Sequence, residues 1–162
     1  ERILFDDLFR SEEIIETEDD SLDDDTVIVD VYSKVFLDAV WCDKTQAFKV
    51  GEELIPPEWI KNKQSYFGII MPDNSMDPEF HKNDCLIIRE DNKRGKDGLY
   101  CVLEKDNDYA TIRKLININD GIMVMPLNLN GEFKPKTYLK GTLEFESLRI
   151  LGPVVQVKRY YD

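Results

Sequence analysis

The stretch Phe67–Glu90, reading FGIIMPDNSMDPEFHKNDCLIIRE, holds the hydroxyl on which chemistry could be built. An apolar run, Phe67–Met71, leads into a polar turn that carries Ser75 and Met76 ahead of Pro78. Asn83-Asp84 then opens a second apolar run, Cys85–Ile88. A strand that ends in a serine, turns and comes back presents a hydroxyl at a rigid edge. Serine among Pro, Asp and Asn also has a plainer role, which is to form the turn itself. A nucleophilic serine needs a neighbour that takes its proton. His81, the one histidine, falls in the Phe80–Asp84 turn and reads as a surface residue. Cys42, Cys85 and Cys101 show no CxxC spacing, and two of them sit inside apolar runs, so they read as reduced core thiols of a cytoplasmic protein. One histidine and scattered thiols do not make a zinc site. No cofactor or metal is expected.

The elements that would position Ser75 are strands. Thr26–Tyr32 alternates Val27, Val29 and Val31 with polar residues, the pattern of a half-buried strand. Val35–Trp41 reads as a second strand, and Lys44–Asn62, with Pro56-Pro57, as a long connection with one turn at Glu58–Lys61. Beyond Ser75, Asp91–Asp97 is a charged turn. Leu99–Glu104 and Tyr109–Ile116 form a hairpin about Lys105–Asp108. Ile122–Met125 adds a strand, 128–141 reads as loop, and Leu143–Val157 ends the sheet. Many short strands at close spacing argue a mostly-β fold with Greek-key or barrel-like character. Trp41 and Trp59 read as core or dimer-contact residues, and Tyr160-Tyr161 as part of an interface.

Ahead of the strands lies a leader of another kind. Arg2–Ile15 places Ile3, Leu4, Leu8, Ile14 and Ile15 near helical spacing, so a short amphipathic helix is expected there. Glu16–Asp25 follows as an acidic linker. Residues 1–33 carry 13 acidic against 2 basic side chains, net −11, whereas the other 129 carry 20 against 19. The division expected is therefore 1–33, helix and linker, and 34–162, folded domain. Such a leader repels phosphate or docks on a basic partner, and the chain is not expected to bind DNA by itself. The 42% hydrophobic content suits a core of ordinary size, and no apolar run reaches the ~20 residues of a membrane helix. The chain begins at Glu1, not Met, and reads as part of something longer.

Four segments, in order, resemble the LexA-like family of self-cleaving repressors, which includes phage CI-type repressors and UmuD. Its pattern Gly-Asp-Ser-Met-x-Pro, spacer, Gly-Asp, apolar strand is met by Asp73-Asn74-Ser75-Met76-Asp77-Pro78, Asn83-Asp84 and Cys85–Ile88. Asp97–Val102 is similar to the family's Asp-Gly-aliphatic-Tyr strand, and Ile150–Val155 to its closing Ile-x-Gly-x-Val-Val strand. The resemblance implies a nucleophile at Ser75 and a lysine base on a neighbouring strand reading aliphatic-Lys-Arg-Leu. Here that strand reads Ile112-Arg113-Lys114-Leu115, so the base position holds Arg113, 38 residues after Ser75.

A guanidinium stays protonated and cannot accept a serine's proton. Lys114 is the fallback base, yet alternation along a strand turns it to the opposite face unless a bulge at Arg113 resets the register. The family also cuts itself between Ala and Gly upstream of the serine. The corresponding region near Ala39–Cys42 reads Ala-Val-Trp-Cys, too bulky a pair for a narrow cleft.

The resemblance thus implies a C-terminal oligomerisation and regulatory domain of a phage- or mobile-element-type repressor without self-cleavage. It would act as a homodimer or higher oligomer, touch DNA only through an upstream domain, and answer to an antirepressor or to activated recombinase. Two alternatives stand beside it: an active Ser-Lys peptidase using Ser75 and Lys114, and a free-standing interaction module with an acidic leader.

Overall fold

The computed structural model describes residues 27–35, 47–93, 95–107, 109–130 and 132–161. The expected N-terminal helix, the acidic linker, most of the strand expected at Val35–Trp41 and the Ala39–Cys42 region lie outside them. The described residues form nine strands, in chain order β1 Val27–Val35, β2 Ala47–Ile55, β3 Tyr66–Ile70, β4 Cys85–Arg89, β5 Gly98–Leu103, β6 Thr111–Ile118, β7 Gly121–Met125, β8 Lys136–Leu139 and β9 Arg149–Lys158. Among the described residues a single short helix, α1 (Leu143–Ser147), precedes β9, and one 3-10 turn occupies Pro57–Ile60. The fold is mostly β, as its alternating apolar runs require. No helix among the described residues is long and apolar enough to cross a membrane.

All nine strands join one sheet in the order β2-β1-β3-β4-β9-β5-β6-β7-β8. Only β1 and β3 pair in parallel; the other ladders are antiparallel. The long strand β9 joins two halves. Its C-terminal part pairs with β4 (Ile88↔Val154 to Cys85↔Lys158) and its N-terminal part with β5 (Tyr100↔Pro153 to Leu103↔Arg149). At the crossover, a Cβ on Gly152 would lie 1.7 Å from the Arg89 carbonyl oxygen, so only glycine lets the two backbones approach.

The first half curls. β2 and the end of β9 stand at opposite ends of the run β2-β1-β3-β4-β9. They nevertheless meet: Lys158 Nζ donates to Glu53 Oε1 (3.0 Å) and to the Leu54 carbonyl (2.8 Å), and the Tyr160 hydroxyl donates to Glu53 Oε2 (2.7 Å). Side chains close this seam, and barrel-like curvature results.

Alternation sorts the strands' apolar residues into three cores. Phe67, Ile69, Leu86, Ile88, Cys101, Leu103 and Ile112 fill the central one, joined by Met71, Met76 and Phe80 from the Ser75 turn. Tyr66, Cys85, Ile87, Val27, Val29 and Val31 make the second, with Trp59 packed against it. Tyr100, Val102, Leu115, Val124 and Tyr138 make the third. β3 and β4 feed cores on both faces, which explains their near-continuous hydrophobicity.

Two regions read as connections are strands. β2 lies at the edge, with Lys49, Val50, Glu52 and Leu54 exposed, so pairing with β1 makes it a strand and its apolar residues carry little pattern. β8, inside the expected loop 128–141, buries only Tyr138 and is held by β7. β1 crosses residue 33, where the sequence reading divides leader from domain.

Candidate functional site

Ser75 lies on the connection between β3 and β4, and its conformation is set locally. Asp73 Oδ1 accepts from the Ser75 backbone N–H (3.0 Å) and from the Ser75 hydroxyl (2.5 Å), the Asx-type turn that a carboxylate two residues ahead of a serine favours. Met76 and Phe80, both buried, anchor the turn in the central core. The Ser75 carbonyl accepts from the Leu127 N–H (3.1 Å) and the Asn128 N–H (2.8 Å), and Asn128 Nδ2 donates to the Asn74 carbonyl (2.9 Å). The turn is therefore held from its own side and from the 127–128 segment. The serine side chain is completely buried.

Arg113 reaches this hydroxyl from β6. Its Nη1 donates to Ser75 Oγ at 2.7 Å and to the Ile112 carbonyl at 2.8 Å. Nε stands 3.8 Å from Glu104 Oε1, and the guanidinium carbon is 5.6 Å from the centre of the Phe133 ring. Glu104 in turn accepts the Tyr138 hydroxyl at 2.6 Å. Burial, first, and the hydrogen bond to Glu104 push the Tyr138 phenol well above its ordinary value. Burial pulls the Arg113 guanidinium below its ordinary value, while the charges of Glu104 and Asp73 oppose the shift. From so high a starting point it remains a cation. On the other side, Thr111 Oγ1 and the Tyr109 hydroxyl each approach Asp73 Oδ2 at 3.4 Å.

Lys114 stands elsewhere. β6 pairs with β5 from Leu115 to Thr111 and with β7 from Lys114 to Ile118 without a register shift, so no bulge turns its side chain. Arg113 shares the face of Tyr100 and Leu115; Lys114 is exposed on the other. The structure thus brings Ser75 and Arg113 together and leaves Lys114 apart. His81 is exposed, and its backbone N–H donates to Asp84 Oδ2 at 2.8 Å. Cys85 and Cys101 are buried free thiols, and burial first, with the Glu53 charge, pushes Cys85 up to about 11. Among the described residues no acidic, histidine and cysteine side chains cluster as metal ligands would.

The other end of the turn carries a second acid–arginine contact. Asp84 accepts from Arg159 Nε (2.8 Å, to Oδ1) and Nη2 (2.7 Å, to Oδ2), a two-pronged pairing that ties the chain's end to the turn. These bonds, with the His81 N–H, hold the Asp84 carboxyl below its ordinary range.

Sequence reasoning did not single out Asp73, Thr111, Glu104, Tyr138 or Arg159. Asp73 carried a local signal, an acid two positions before a turn serine. Glu104 and Tyr138, 34 residues apart, meet only because β5 to β8 lie side by side.

A serine on a turn between two doubly buried strands, met by a basic residue from a neighbouring strand, is the frame of a serine peptidase built on a curled β sheet. A family model described as Peptidase S24-like matches residues 32–155, and the chain belongs to that family. Comparison with curated proteins gives no match. Within the family frame, the site holds a hydroxyl between a carboxylate and a guanidinium, and among the described residues no lysine amine is bonded to Ser75.

Proposed function

We propose that this chain is the C-terminal oligomerisation and regulatory domain of a phage- or mobile-element-type transcriptional repressor, and that it does not cut itself. One observation carries the reading. The basic residue bonded to the Ser75 hydroxyl is Arg113, at 2.7 Å, a permanent cation that cannot act as a base. Such a scaffold retains a use. Two copies brought together let two upstream DNA-binding modules engage two half-sites at once, which multiplies weak affinities. Without self-cleavage, release from DNA would come from a protein partner such as an antirepressor, binding at the cleft or the acidic leader. Intact protein incubated at alkaline pH, or with activated recombinase, should remain one band on a gel; two fragments would overturn the reading. Sedimentation at micromolar concentration should give a dimer or larger species, and a solitary protomer would remove the oligomerisation role.

A further inference from the structure

The Ser75 hydroxyl has a single proton, and its direction is already decided. Asp73 Oδ1 receives it at 2.5 Å, while Ser75 Oγ itself accepts from Arg113 Nη1 at 2.7 Å. For any side chain at position 113 to act as a base, the hydroxyl would have to turn its proton from Asp73 toward that side chain. Asp73 is held for the opposite arrangement. Its Oδ1 also takes the Ser75 N–H at 3.0 Å, and Tyr109 and Thr111 stand at 3.4 Å from Oδ2. Its charge also favours a cation at 113. In the LexA-like pattern the aligned position is glycine, which has no side chain to compete for the proton.

Resting on the non-cleaving reading above, we propose that Asp73 is the positioning residue that locks the serine. Asp73, Ser75 and Arg113 act as one unit in which the hydroxyl donates to the acid and accepts from the cation, so replacing Arg113 by lysine alone does not restore a nucleophile. Restoration takes two changes, a lysine at 113 and loss of the carboxylate at 73. Glu104 does not substitute for Asp73 in this role. It stands 3.8 Å from Nε and is already bonded to Tyr138.

The test separates this lock from the missing scissile bond by using a small fluorophosphonate as electrophile. Attack by Ser75 Oγ forms the P–O bond, fluoride leaves with the P–F electron pair, and the serine proton passes to the introduced amine. Wild type, Arg113→Lys, Asp73→Gly and Asp73→Gly/Arg113→Lys are incubated with the probe across pH 6–10, and the adduct is mapped by mass spectrometry. The first three should remain unlabelled at Ser75. The double variant should label at least about tenfold faster than any of them, with a rate rising through the pKa of a lysine. Labelling of Arg113→Lys at the double variant's rate would overturn the lock while leaving the non-cleaving reading intact. So would a folded double variant, verified by a cooperative melt, that stays unlabelled. Labelling of wild type at Ser75, abolished in Asp73→Asn, would overturn both, because the carboxylate would then be serving as base. A thermal-melt cycle on Asp73→Asn and Arg113→Met gives a second measurement. The double variant should lose less than the sum of the single losses, and simple additivity would count against a single unit.

Discussion

Each end of the Ser75 turn sets an aspartate against an arginine, and the two contacts do different work. Asp73 reaches Arg113 through the serine hydroxyl, in surroundings where the arginine is 5% exposed and backed by Glu104. Asp84 meets Arg159 directly, through two short bonds, with the arginine side chain 30% exposed. Burial makes the difference. Water screens the outer pair, so it staples the C-terminal segment to the turn and contributes modestly. At the inner site Arg113 and Glu104 are both buried, so removing either one strands the other at a large desolvation cost. The same pair of residue types is a fastener at one end and a constraint on chemistry at the other.

The comparison is broken most directly by Arg113→Met. It leaves Asp73 and Glu104 without their buried cation, and a loss of about 3–5 kcal/mol in chemical denaturation is expected. A loss as small as that of a surface exchange would mean the inner pair is screened as well. Glu104→Gln comes next. It keeps an acceptor for the Tyr138 hydroxyl but removes the charge nearest Nε, and roughly 2–3 kcal/mol should be lost in the same measurement.

Arg159→Ala should cost less than either, and its signature lies in salt and pH. Asp84's carboxyl is depressed in the folded protein, so it adds stability above the unfolded carboxylate pKa. That contribution disappears as pH falls through the lower folded value. Melting temperatures of wild type should therefore converge on those of the variant in acid, and in high salt at neutral pH. A gap unchanged by either would show that the contact is not electrostatic. At the foot of the scale, Lys114→Ala should shift stability by no more than about 0.5 kcal/mol and leave the Ser75 environment unchanged, since this side chain is exposed on the far face of β6.

Much of the fold was legible because burial is written into period-two patterns. β3, β4, β5, β6 and β7 lie within a few residues of the runs that announce them, and the β5–β6 hairpin turns between Val102 and Thr111 as its polar tip requires. β2 and β8 were hidden for one shared reason. Each has a neighbour on one side only and shows water most of its side chains, so backbone pairing defines it and hydrophobic spacing does not. Ser75 and Arg113 stood out through motif and spacing. Asp73 lay in plain view inside the same motif, but nothing local says whether an acid beside a turn serine merely shapes the turn or also takes the hydroxyl's proton.

By itself, then, the order of residues determined a mostly-β domain of the Peptidase S24-like kind, a serine on the turn between two apolar runs, and an arginine 38 residues after it. These follow from side-chain chemistry and from alternation, which act over a few residues. Tertiary structure alone decided that β6 keeps its register and turns Lys114 to water. It also decided that Glu104 and Tyr138 converge behind Arg113, that Arg159 returns to Asp84, and that β2 closes on β9. Those contacts join residues tens of positions apart, and only strand order and sheet curvature bring them within bonding distance.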